Sequence, residues 1–415
     1  MAGAALARHT SSRARGHAVP GRAAGATGRG ARGAPRPITT FLLTYEHMRW
    51  ISAAALVVAV AMGSMPAFAQ GIPGTRAYVA GRAGWDAIRE GRNQEAAEAF
   101  ALAIDAEPRD PSMHLGAGLA AYLLGKPTVA RQSLEYAISM SPGFTTASLL
   151  LGDILYREGD IDEAIRVYEA ALTHEPGNAM LNERLGKLRK EAELHNGFYQ
   201  SQGAHFTVLF EGPADEQLAA RALDILEGAY WRVGTALSTF PERVIPVVLY
   251  TQEQFRDITR SPQWAAGAYD GRIRIPVRGA LGNERELERV LTHEFTHALV
   301  QSVAPKGVPA WLNEGLAVMF EPAGESWTDS ELSASDKRLT LEQLGKGFAG
   351  LSTTDARIAY AQSAAVVRAL LDLGGPPVVV SILQDLARGD IFAAVLERRL
   401  AMPFDAFIAS LEASR

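Results

Sequence analysis

Cysteine is absent from all 415 residues. That excludes a disulfide framework, a thiolate metal site, a cysteine nucleophile and a lipid-modified cysteine anchor. Histidine runs out early: there are nine, and none lies beyond His297. Lysine is missing from residues 1–69, which hold eight Arg and a single acidic residue, Glu46. When that segment is set aside, the 41 basic and 46 acidic residues of the whole chain become 33 and 45. So acidic a balance argues against a nucleic-acid partner.

Residues 1–69 read as an N-terminal extension and a targeting segment. Met48 and Arg49 precede the apolar run Ile51 to Met62, and Ala67-Phe68-Ala69 supplies an A-x-A pattern for cleavage after Ala69. Residues 1–47 are too long and too rich in Arg and Gly for an ordinary n-region, which points to Met48 as the true start. The chain is expected to be periplasmic or secreted, with no stable membrane span after cleavage. The alternative is an uncleaved inner-membrane signal anchor.

From residue 77 the chain repeats every 34 residues. Gly91, Gly125 and Gly159 fall in register, as do Ala96, Ala130 and Ala164, then Ala103, Ala137 and Ala171, and finally Pro108, Pro142 and Pro176. Small residues where two helices cross, with Pro at the closing turn, resemble the tetratricopeptide repeat (TPR). Three such units and a capping helix over Ala179 to Leu194 predict an all-α solenoid over residues 77–194. Its concave face is expected to take a peptide or a protein partner.

After residue 204 the pattern changes. His205 to Phe210 alternates as a strand, Asp215 to Ser238 is an amphipathic helix, Val244 to Tyr250 is a second strand, and Arg272 to Val277 is a third. Glu321 to Asp336 is expected to be irregular. Helical periodicity returns over Ile358 to Leu373, Pro377 to Ala387, Ile391 to Arg398 and Phe404 to Leu411. The fold class is therefore α+β over residues 204–415: a small sheet packed on one central helix, then a helical C-terminal subdomain.

That central helix carries the chemistry. His293-Glu294-Phe295-Thr296-His297 places two imidazoles one turn apart on one helix face, within reach of a single tetrahedral metal. Glu294 beside them can take a proton from an attacking water and pass it to a leaving amine. Asn283 can cap the helix. A catalytic zinc needs a third protein ligand, and without cysteine or a later histidine that ligand must be a carboxylate. Glu314 in Trp311-Leu312-Asn313-Glu314-Gly315 is the best placed, with Gly315 expected to let its helix approach the histidine helix. Thr296 and Asn313 are candidates for hydrogen bonds to the ligands. His114, His174, His195 and His205 read as structural or solvated.

HEFTH followed by WLNEGLA resembles the gluzincin pattern, and the segment is similar to the peptidase MA-like domain, related to the M1 aminopeptidases. The resemblance implies a zinc metallopeptidase that hydrolyses peptide or protein substrates. It implies Zn2+ held by His293, His297 and Glu314, Glu294 as general base and acid, and Tyr360 as a donor to the oxyanion. It also makes Gly267 to Val277 the edge strand that pairs with an extended substrate. No GxMEN-like segment is present, so exopeptidase specificity is not implied. The rival reading is a TPR scaffold or assembly factor whose zincin domain is structural or inactive.

Overall fold

The computed structural model describes residues 75–259, 266–277, 283–348 and 350–413. The expected signal segment, its Met48 start and its cleavage point after Ala69 lie outside the described residues.

Helices α1 (Arg76–Arg89), α2 (Asn93–Ala106), α3 (Pro111–Leu123), α4 (Pro127–Met140), α5 (Thr145–Arg157) and α6 (Ile161–His174) form successive pairs, closed by α7 (Ala179–His195). Each helix packs on the next. The repeated alanines are the reason: Ala96, Ala130 and Ala164 are fully buried where paired helices cross. The repeated glycines make the turn within each pair. Gly91, Gly125 and Gly159 have φ of 75°, 70° and 94°, a left-handed conformation that costs a side-chain-bearing residue about 1 kcal/mol or more. Asp110, Asp160 and Asn178 cap the helices that follow them through their side-chain oxygens.

The second half opens with a five-stranded sheet in the order β1-β2-β3-β5-β4. Its strands are β1 (Tyr199–Gln202), β2 (Phe206–Phe210), β3 (Ile245–Tyr250), β4 (Ala268–Tyr269) and β5 (Ile273–Pro276). β2, β3 and β5 are parallel, while β1 and β4 run antiparallel on the two edges. Alternation divides the faces. Phe206, Val208, Val247, Leu249, Ile273 and Ile275 pack against α8 (Glu216–Leu237) and α10 (Glu284–Val303). Val248, Tyr250 and Ala268 face the other way, onto Leu194, Phe198 and Phe255 of α9 (Gln252–Thr259). The segment Gly267 to Val277 is thus not one edge strand: Asp270-Gly271-Arg272 turns it back, leaving β4 on the edge and β5 inside the sheet.

The helical remainder is α11 (Ala310–Phe320), α12 (Gly324–Ser333), α13 (Leu341–Gly345), α14 (Thr353–Ala387), α15 (Phe392–Leu400) and α16 (Phe404–Ala413). The segment expected to be irregular contains α12. The two helices expected over Ile358 to Leu373 and Pro377 to Ala387 are joined in α14 and broken at Gly375, whose φ of 69° and ψ of 175° are not helical. α14 is long and apolar enough to cross a membrane. Val367, Leu370, Val379, Ile382 and Leu383 of this helix are fully buried against α11 and α15.

The repeats are locked to the sheet by one buried guanidinium. Arg274 of β5, fully buried, donates to Glu191 Oε1 of α7 at 2.9 Å, to Tyr156 of α5 at 2.6 Å and to Tyr250 of β3 at 2.7 Å. Asp270 accepts from its Nε at 3.1 Å, and Tyr156 donates to Glu191 at 2.8 Å. His195 meets the Tyr250 hydroxyl at 2.7 Å, and burial holds its pKa down at about 4 despite the Glu191 charge.

Three further contacts run along the repeat turns. A Cβ at Gly389 would lie 1.7 Å from the Gly91 carbonyl oxygen, and one at Gly125 3.0 Å from Pro305. The Gly159 carbonyl accepts from Arg272 Nη2 at 2.8 Å.

Arg274→Ala is expected to destabilise the protein by about 3–5 kcal/mol, because it strands Glu191 and Asp270 as buried charges. Urea unfolding followed through the repeat and sheet halves separately would read this, and an unchanged midpoint contradicts the lock. His195 has its folded pKa below the unfolded value, so the unfolded chain binds the extra proton. Stability is therefore expected to fall as pH drops from about 6.5 toward 4. His195→Gln should flatten that part of the pH profile of the thermal midpoint.

Candidate metal centre

α10 begins at Asn283, whose side chain accepts from the Glu286 amide as expected. Its apolar stripe, Leu287, Val290, Leu291, Phe295 and Leu299, packs on the sheet and α8, which turns His293 and His297 inward. Both histidines and Glu294 have no solvent exposure. α11 follows after Pro309 and packs across α10, presenting Glu314 at 6 % exposure.

The three side chains expected to bind metal converge. His293 Nε2 and His297 Nε2 lie 3.0 Å apart, and Glu314 Oε2 lies 3.4 Å from each. Ligand atoms around a tetrahedral ion with bonds of about 2.0–2.1 Å stand about 3.3 Å apart, so the spacing suits zinc. The nearest polar neighbours of Glu314 Oε2 are these two imidazole nitrogens, at contacts too long and poorly aimed for good hydrogen bonds, and a cation between the three would complete its coordination. The donor set of two imidazoles and one carboxylate, without sulfur, is that of a catalytic rather than a closed structural site.

A second layer holds the ligands. Glu321, at the C-terminal end of α11, accepts from His293 Nδ1 at 2.7 Å and from Arg289 Nη1 at 3.1 Å. Donation through Nδ1 leaves the Nε2 lone pair facing Glu314 and His297. Arg289 sits one turn before His293 on α10 and is itself gripped by Glu286 at 2.6 Å. Arg232 of α8 ties the same corner together, donating to the Phe320 carbonyl at 2.9 Å and to Thr292 Oγ1 at 3.1 Å. Burial lowers the His293 pKa, but the carboxylates of Glu314 and Glu321 on either side of the ring outweigh it and raise it to about 9. Burial also opposes ionisation of Glu314, yet the two histidines hold its pKa well below the usual carboxylate range.

Glu294 differs from its neighbours. Both of its oxygens are buried and without hydrogen-bond partners. Burial, with some repulsion from Glu314, pushes its pKa up to about 7 against the pull of the histidines. The backbone beside it comes close: a Cβ at Gly267, just before edge strand β4, would lie 2.8 Å from Glu294 Oε1. A proton acceptor poised near neutrality, next to a paired imidazole site and the edge strand β4, suits general base chemistry.

The other expected residues are placed differently. Tyr360 lies on α14 at 4 % exposure, clustered with Val318, Ala356 and Ala364, its ring edge-on to Phe348 at 4.9 Å. Gly315 permits a close approach, but to α14: a Cβ there would lie 2.4 Å from the Ser363 carbonyl oxygen, so the expected contact with the histidine helix is replaced by this one. Thr296 donates to the Thr292 carbonyl of its own helix, and Asn313 Oδ1 is buried without a partner. His114 bonds the Pro108 carbonyl, and His205 pairs with Glu227 at 2.6 Å. Glu321 and Arg289 were not singled out in the sequence. Glu321 follows Glu314 by two helical turns and Arg289 precedes His293 by one, so both spacings were available.

The tetratricopeptide repeat family matches residues 82–144, 124–179 and 149–188, and the Peptidase MA superfamily matches residues 237–406. Among curated proteins, DnaJ homolog subfamily C member 3 of Mus musculus is 24% identical over 166 residues. That match covers 40% of this chain and 28% of the length of the mouse protein. Among solved structures, the first TPR of Spaghetti (RPAP3) bound to the HSP90 peptide SRMEEVD shares 24% identity at a TM-score of 0.27. It covers 28% of this chain and 96% of that one. The NMR structure of the first TPR domain of the human RPAP3 protein gives 24% and 0.27, covering 29% and 94%.

Glu321→Ala is expected to weaken zinc retention by about 10- to 100-fold through loss of the His293 partner. Glu314→Ala should weaken it further, and competition with a chromogenic chelator measures both. Wild-type affinity in Glu321→Ala would show that the carboxylate does not orient the ligand. With the repeat helices, the mixed sheet and the buried His-His-Glu group on one chain, this protein carries tetratricopeptide repeats followed by a Peptidase MA superfamily domain.

Proposed function

We propose that this protein is an exported zinc metallopeptidase that hydrolyses peptide bonds, with His293, His297 and Glu314 as zinc ligands. The observation that carries this reading is Glu294: a fully buried carboxylate with two unpartnered oxygens, next to three converging ligand atoms. A structural metal site has no use for such a residue. Bound zinc supplies Lewis acidity at the scissile carbonyl and toward water.

The residues of the chain do the rest. Glu294 takes the proton from the attacking water and returns it to the departing amine nitrogen, so one carboxylate serves as base and then as acid. Edge strand β4 offers backbone groups to an extended substrate, and Gly267 keeps that strand close to Glu294. By the resemblance to peptidase MA-like domains alone, Tyr360 is the proposed donor to the developing oxyanion. Export rests on the apolar run Ile51 to Met62 and the Ala67-Phe68-Ala69 cleavage pattern.

Glu294→Gln should leave zinc stoichiometry unchanged while cutting hydrolysis of a mixed peptide library by about 10²–10⁴-fold, and Tyr360→Phe should lower kcat with the metal retained. Zinc bound without any cleavage by the wild-type protein would instead favour a scaffold whose metal is structural.

A further inference from the structure

Between the turns of the repeats and the C-terminal half of α10 lies a cleft of about 780 Å3. Gly125 to Val129, Arg157 and Glu158 form one wall; Thr239 to Pro246 and Gln301 to Pro305 form the other. Ala298, the residue after His297, and Tyr269 of β4 also line it, so the cleft adjoins both the ligand helix and the edge strand.

Its charges do not cancel. Glu158 is already spent on Arg131, at 3.0 Å, and on Arg243. Arg157 and Lys126 have no ion pair among the described residues. Lys306, next to the lining Pro305, lays its ammonium over the ring of Tyr122, 4.7 Å from the centroid. Burial and then the Arg157 charge push its pKa down to about 7, and no acid opposes the shift. The lining itself holds three cations, Lys126, Arg157 and Arg243, against two acids, Glu158 and Glu242, so it carries one positive charge in excess, with the Lys306 ammonium close behind it. Beside them the same cleft exposes Val129, Phe240 and Val244 at 49, 38 and 48 %. Phe240 continues onto Trp231, 58 % exposed, with ring centroids 5.6 Å apart. Cationic groups beside an exposed apolar patch fit a ligand that is anionic at one point and apolar around it.

We propose that this cleft binds the C-terminal end of a peptide, its α-carboxylate on Arg157 and its last apolar side chains against Phe240 and Val244. The proposal rests on the peptidase reading and specifies its substrate class: chains with a free carboxyl terminus and apolar terminal residues, seated where the repeats and the peptidase domain meet.

The full chain carrying Glu294→Gln, which blocks cleavage, is titrated by fluorescence anisotropy against fluorescein-Gly-Gly-Ser-Ala-Phe-Leu as the free acid and as its C-terminal amide. The acid is expected to bind about tenfold more tightly, as one charge-assisted contact implies. Adding Arg157→Met should bring the acid down to the affinity of the amide. Lys126→Gln, on an exposed and unpaired residue, should narrow the gap severalfold without altering the thermal midpoint, and so reads the same site if Arg157→Met fails to fold. Equal affinity for acid and amide, or a preference untouched by Lys126→Gln and by a folded Arg157→Met, overturns the proposal. Hydrolysis by the wild-type chain separates the two readings. Equal cleavage of acid and amide sinks the cleft and leaves the peptidase, whereas acid-selective binding without cleavage does the reverse.

Discussion

Arg274 is the point on which the two halves of this molecule are fixed. A guanidinium without solvent access is tolerated only where each of its donors finds an acceptor, and here the acceptors come from both halves: Glu191 and Tyr156 from the repeats, Tyr250 and Asp270 from the sheet. Neither half can leave without stranding charge in an apolar setting. The repeats are therefore a fixed wall of the second half rather than an arm swinging from a linker. The cleft beside α10 exists only because that wall stays in place.

The candidate metal centre depends on a similar economy of packing. α10 supplies three of its functional residues within five positions, and α11 supplies Glu314 and, two turns on, Glu321. A single crossing of two helices thus sets both the ligand triangle and the hydrogen bond that orients His293. Gly315 lets α14 press directly on the far side of α11, which fixes the depth at which Glu314 meets the histidines. Both oxygens of Glu294 lack hydrogen-bond partners, and burial raises its proton affinity toward neutral pH.

Much of this was legible in the sequence because it is periodic or local. The 34-residue repeat, the alternating strands and the spacing of His293 and His297 each follow from a rule that acts along the chain. Exclusion left only a carboxylate to complete the donor set, and Glu314 stood out among the carboxylates by its short apolar segment after the histidine pair. What escaped detection depends on pairing across space. β1 and β4 are too short to carry a pattern of their own, and the hairpin that moves β5 inside the sheet is set by the partner strand. The break at Gly375, by contrast, fell where the sequence had already separated a helix ending at Leu373 from one starting at Pro377. Gly315 was expected to face the histidine helix and faces α14, because a glycine announces a close approach without saying to what. Arg274 reads as an ordinary strand cation until Glu191, 83 residues earlier, is seen beside it.

The turn glycines carry a consequence for how this chain can change. Gly91, Gly125 and Gly159 each meet a different segment of the second half, at Gly389, Pro305 and Arg272. Solenoids ordinarily gain or lose units freely, because each unit touches only its neighbours. Here the second half works as a gauge with three marks. Insertion or removal of 34 residues between Gly91 and Gly159 would carry turns past their marks, so the spacing of these three turns is set by the surface of the domain behind them.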